Sequence, residues 1–103
     1  MLSYEGKIIR SWGKFGNKPG NLKNPTGIKI FRKVLFVLDS GNYRIQAFTR
    51  YGKFLFEHKY SNKINATKIT ITNNYVYINS RDQPQILKFK LVYGKNSTDK
   101  ILE

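Results

Sequence analysis

Apolar residues along the chain come in runs of four to seven, set off by Gly, Asn, Pro and Asp, and no stretch keeps a helical period for ten residues. The first run, Gly6-Lys7-Ile8-Ile9-Arg10-Ser11-Trp12, ends at Gly13. Gly27-Ile28-Lys29-Ile30 alternates, Val34-Leu35-Phe36-Val37-Leu38 is apolar throughout, and Arg44-Ile45-Gln46-Ala47-Phe48-Thr49 alternates again. A Tyr51-Gly52 turn leads into Lys53-Phe54-Leu55-Phe56-Glu57. After a polar stretch follow Lys68-Ile69-Thr70-Ile71, Tyr75-Val76-Tyr77-Ile78 and Ile86-Leu87-Lys88-Phe89-Lys90-Leu91. β-Branched and aromatic residues dominate these runs, which predicts an all-β fold.

Sliding the chain on itself by 41 residues aligns two copies without a gap. Pro25-Thr26-Gly27-Ile28-Lys29-Ile30 falls on Ala66-Thr67-Lys68-Ile69-Thr70-Ile71, and Val34-Leu35-Phe36-Val37 falls on Tyr75-Val76-Tyr77-Ile78. Ile45 and Phe48 meet Ile86 and Phe89, and one further residue brings Tyr51-Gly52-Lys53 onto Tyr93-Gly94-Lys95. A period of this length holding four short strands is the size of one β-propeller blade.

The first copy reads Asn24-Pro25-Thr26-Gly27-Ile28, then Leu35-Phe36-Val37-Leu38-Asp39-Ser40-Gly41-Asn42-Tyr43-Arg44-Ile45-Gln46-Ala47-Phe48, then Gly52-Lys53-Phe54. It closely resembles the NHL repeat, whose pattern is P-x-G-I, a β-run, D-x-x-N-x-R-I-x-x-F and a G-K-F step. The resemblance is strong over 24–57 and partial over 66–95, where Ser80, Gln83 and Gln85 stand in place of Asp39, Asn42 and Arg44. Gly27 and Gly41 are expected to take backbone angles that a side chain forbids, with Pro25 stiffening the chain before the inner strand. Asp39, Asn42 and Arg44 are expected to satisfy buried backbone groups and one another at the turn between the second and third strands.

With a blade's strands labelled a to d from the axis outward, the chain reads d (6–12), a full blade a-b-c-d (24–58) and a partial blade a-b-c (66–95), followed by a tail at 96–103. This permuted order, d–abcd–abc, lets the first strand of one copy complete the last blade of its neighbour. A head-to-tail contact of that kind closes into a ring, and three copies make a six-bladed homotrimer. A fragment of a longer propeller is the alternative.

Composition bears on partners. Nineteen Lys and Arg against six Asp and Glu give a net charge of +13. Self-repulsion at that charge favours a polyanionic partner, whereas an AT-rich genome would produce the same Lys- and Asn-rich composition without one. No apolar run nears the roughly eighteen residues of a membrane span, and the first residues do not read as a signal peptide. The absence of cysteine suits a reducing compartment. The expected location is intracellular and cytoplasmic, with the nucleus or a virion as alternatives. The triplets Asn65-Ala66-Thr67 and Asn96-Ser97-Thr98 are read as chance glycosylation matches. His58 is the only histidine, the carboxylates are scattered, and the loop glycines around Lys14 and Lys18 lack a phosphate-loop pattern. Neither an enzyme nor a metal or cofactor site is expected.

Strand alternation sets the d-to-a and b-to-c loops on one face. Lys14, Phe15, Lys18, Lys23, Tyr43 and Arg44 fall there, with Lys59, Lys63, Arg81 and Gln83 from the neighbouring loops. Cations for phosphates, with Phe15 and Tyr43 for base stacking, suit single-stranded RNA or DNA. NHL propellers include RNA-binding platforms that use this face, so the resemblance implies the same. The opposite face carries Arg32, Lys33, Arg50, Lys53 and Lys95, so the expected contact is sequence-tolerant and salt-sensitive. The alternative function is a protein-interaction or assembly scaffold.

Overall fold

The computed structural model describes residues 11–60, 64–80, 84–93 and 99–102. They form two four-stranded antiparallel sheets, each with its strands in sequence order. The first contains β1 (Pro25–Phe31), β2 (Val34–Asp39), β3 (Arg44–Thr49) and β4 (Phe54–Lys59). The second contains β5 (Ala66–Ile71), β6 (Tyr75–Ser80), β7 (Ile86–Tyr93) and β8 (Asp99–Leu102). A single 3-10 turn at Ser40–Asn42 is the one helical element among the described residues, and none of their helices is long and apolar enough to cross a membrane.

The internal repeat extends to the hydrogen-bond register. Pro25 pairs with Asp39 and Gly27 with Leu38 across a bulge; 41 residues later Ala66 pairs with Ser80 and Lys68 with Asn79 across the same bulge. Leu38 opposite Ile45 likewise becomes Asn79 opposite Ile86. A one-residue slip would turn every core side chain outward, so the shared register puts equivalent residues of the two repeats on equivalent faces of their sheets.

Opposite faces of the two repeats meet between the sheets. Phe36, Leu38, Ile45 and Ala47 of the first sheet pack with Ile69, Val76, Ile78, Phe89 and Leu91 of the second. Each large apolar side chain buried there contributes about 1.5–3 kcal/mol. The approach is closest where β1 lies over β5: a Cβ on Gly27 would stand 3.2 Å from Ile69 Cγ2. Gly27 therefore serves by its small size. Neither Gly27 nor Gly41 has a positive φ, which corrects the expectation of unusual backbone angles at both.

A smaller cluster of Leu35, Val37 and Phe48 lies on the other face of the first sheet, covered in part by Trp12, Leu22 and Phe54. Trp12 meets Phe48 at 6.4 Å between ring centroids. The same face leaves Ile28 and Ile30 exposed, and beside them Trp12, Leu22, Pro25, Ile28 and Val37 line a cleft of about 520 Å³.

The strand order differs from expectation at the C-terminal end. Residues 6–10 of the strand expected at 6–12 lie outside the described residues; Ser11 and Trp12 are not in a strand, and Trp12 packs on its own first sheet. The tail expected at 96–103 contains β8, with Leu91 opposite Ile101 and Val92 opposite Lys100. β8 occupies the edge of β7 that the order d–abcd–abc left for a neighbouring copy, so the described strands form two sheets of four in sequence order. With four residues and two apolar positions, β8 is too short to show an alternation.

Candidate nucleic-acid interface

The polar residues of the first repeat converge where β2 turns into β3. Asp39 ends β2 directly opposite Arg44, which opens β3, and the turn between them closes through Tyr43 at φ 51°. The Asp39 carboxylate is fully buried and accepts hydrogen bonds from Lys23 N (2.7 Å), Arg44 Nε (2.7 Å), Asn42 Nδ2 (3.0 Å) and Gln46 Nε2 (3.0 Å). Arg44, equally buried, donates from Nη1 to Asn17 O at 2.9 Å and to Glu57 Oε2 at 3.5 Å, and from Nη2 to Asn21 O at 2.6 Å and Lys18 O at 3.1 Å. Gln46 accepts from Gly20 N and donates to Asn21 O, while Asn42 donates to Gly16 O. Gly41 N donates to Lys23 O at 2.8 Å, and any Cβ on Gly41 would collide with that carbonyl.

Asp39, Asn42 and Arg44 thus satisfy one another and buried backbone groups, as their spacing predicts. What they hold is the loop that precedes β1, and Gln46, missed in the sequence, belongs with them. Charge-assisted hydrogen bonds of this kind are roughly twice as strong as neutral ones. They fix the course of residues 16–23.

That fixed loop carries exposed side chains. Lys14, Lys18 and Lys23 face solvent, and Phe15 is 81% exposed. Lys59 pairs in register with Arg44 at the same end of the sheet; it is 70% exposed, with its ammonium 3.8 Å from Glu57. An exposed pair of this geometry leaves the cation available. Two expected contact residues are corrected: Arg44 is 1% exposed and committed to the clamp, and Tyr43 is half-buried with its ring edge-on to Tyr60 at 6.4 Å. A left-handed backbone turns Tyr43 toward the main core. Burial there pushes the Tyr60 hydroxyl up to about 12, against a lowering contribution from the Ser40 hydroxyl. Lys63, Arg81 and Gln83 lie outside the described residues, as does Lys95. At the opposite end Arg32 lies over Phe31 at 5.4 Å and Arg50 over Tyr51 at 4.9 Å.

A second basic surface did not emerge from the loops because it lies on strands. Tyr75 and Tyr77 of β6 alternate with buried Val76 and Ile78, so both tyrosines stand on the outer face of the second sheet beside exposed Lys68, Lys88 and Lys90. The alternation Tyr75-Val76-Tyr77-Ile78 against Lys88-Phe89-Lys90 carried that signal, since the same period that buries Val76 and Phe89 exposes their neighbours.

Among the described residues no group of three metal-ligating side chains comes together. Compared with known proteins, the chain matches no family model and no curated protein.

Proposed function

We propose that the chain is a nucleic-acid-binding module whose two sheets are each built like a blade of an NHL-type β-propeller, with the outer face of the second left open. The observation that carries the binding reading is the buried Asp39–Arg44 clamp, which fixes the backbone of 16–23 while Lys14, Phe15, Lys18 and Lys23 stay in solvent. A loop already ordered loses less conformational freedom when it binds, so its cations act as a prepared phosphate site. The net charge of +13 supplies the long-range attraction. The blade reading is supported by the 41-residue register repeat and by the face-to-face contact of β1 with β5.

The test is a titration of fluorescent single-stranded RNA and DNA at low and high salt. Micromolar or tighter binding that weakens steeply with salt is expected. Replacing Lys14, Lys18 and Lys23 together by Ala should lower affinity and reduce the salt slope by about two, each lost phosphate contact being worth roughly 0.7 on single strands. Absence of binding by the parent chain at low salt would overturn the proposal.

A second reading, assembly through protein contacts, is favoured by Ile28 and Ile30, which are 56% and 68% exposed on a face that a propeller covers with its preceding blade. With β8 on the edge of β7, such assembly proceeds through sheet faces rather than by strand exchange between copies.

A further inference from the structure

The outer face of β5, β6 and β7 has a composition unlike the other sheet faces. Three cross-strand rows span it: Lys68–Asn79–Ile86, Thr70–Tyr77–Lys88 and Tyr75–Lys90. The central strand carries both aromatic rings, and the flanking strands carry the cations. Tyr75 and Tyr77 stand 6.3 Å apart between centroids, and the Lys88 ammonium lies 4.0 Å from the first ring and 5.8 Å from the second. Both tyrosines are half-buried, while Lys68, Lys88, Lys90 and Thr70 are exposed. The sequence offers few counter-charges here: Asp82 is the sole acidic residue between Glu57 and Asp99.

We infer that this face is a stacking platform for single-stranded nucleic acid, distinct from the clamped loop though resting on the same nucleic-acid reading. Two rings on neighbouring outward positions of one strand offer successive bases a surface. Lysines on both sides stand where the backbone phosphates of a strand crossing the sheet would run. Duplex nucleic acid keeps its bases stacked on each other and offers the rings nothing, so the platform selects single strands. A second protein sheet is a poor occupant, because burying the ammonium groups of Lys68, Lys88 and Lys90 without counter-charges is strongly unfavourable.

The experiment titrates fluorescent oligo-U, oligo-dT and a mixed-sequence DNA duplex onto the whole chain and onto three variants. Tyr75→Ala with Tyr77→Ala should weaken single-strand binding by about tenfold or more, while duplex binding changes less than about twofold. Tyr75→Phe with Tyr77→Phe should retain single-strand affinity, since the ring is what stacks. Lys68→Glu with Lys90→Glu, on exposed positions where folding is not at stake, should weaken single-strand binding and flatten its salt dependence. Parent-like single-strand affinity in the alanine and glutamate variants overturns the platform and leaves the loop site standing. Equal loss of single-strand and duplex binding in the alanine variant also overturns it. A parent chain that binds neither probe removes this inference and the broader reading together. Association of copies that is lost in the alanine variant assigns the face to a protein contact and overturns the platform.

Discussion

Asp39 shows how much of the local structure rests on one side chain. Its carboxylate is 0% exposed and accepts from two side chains of β3, one of the turn and the backbone of Lys23, so it joins the sheet to the loop that precedes it. Removing it leaves the buried Arg44 guanidinium with only the longer contact to Glu57, at 3.5 Å, as counter-charge. Asp39→Ala is expected to lose about 3–5 kcal/mol in urea unfolding, against less than about 0.5 kcal/mol for Lys14→Ala on the exposed side of the same loop. Comparable losses from the two substitutions would show that the clamp does not organise the loop. Arg44→Lys should not restore it, because a single ammonium cannot serve Asp39 and the separate carbonyls of residues 17, 18 and 21 at once. Ser80 occupies the matching place in the second repeat, 41 residues on. Buried but uncharged, it needs no arginine partner, which accounts for the loss of the polar signature without loss of the strands around it.

At the scale of elements, the hairpin between β1 and β2 turns on Arg32 and Lys33, both in left-handed backbone at φ 52° and 64°. That two-residue turn matches the twist of the strands, and it favours Asn-Gly over two long side chains. Arg32→Asn with Lys33→Gly is expected to stabilise the chain by roughly 1 kcal/mol, read as a higher urea midpoint at unchanged slope. A lower midpoint would mean that the contact of Arg32 with Phe31 outweighs the backbone strain. The turn also marks what the sequence leaves hidden. Seven of the eight strands were legible, because each is a run of alternating or continuous apolar residues with enough length to show its period. β8 was not, having only Ile101 and Leu102 as apolar positions. The clamp was half legible: the spacing of Asp39, Asn42 and Arg44 predicts mutual contact, but the loop at 16–23 that they grip is brought to them by the fold. Tyr43 misled for a related reason, since adjacency to Asn42 and Arg44 gave no sign that a left-handed backbone would direct its ring onto Tyr60.

At the scale of the molecule, the two outward sheet faces decide how copies associate. The first presents Ile28 and Ile30 beside the covered Leu35 and Val37, and the second presents Tyr75, Tyr77, Lys68, Lys88 and Lys90. A head-to-tail ring sets one against the other, placing ammonium groups on isoleucine side chains and removing both from water. Three copies also gather 3 × 13 = +39 charges in one particle, and like-charge repulsion at low salt opposes that assembly. Two copies meeting through Ile28 and Ile30 avoid the first difficulty and lessen the second, because that contact is apolar on each side and leaves the lysine-bearing faces outward. Sedimentation equilibrium at micromolar concentration is therefore expected to give the mass of one or two chains, with Ile28→Ser and Ile30→Ser together abolishing any dimer. A trimer mass would mean that the two unlike faces do satisfy each other, and would place Tyr75 and Tyr77 inside a protein contact where no base can reach them.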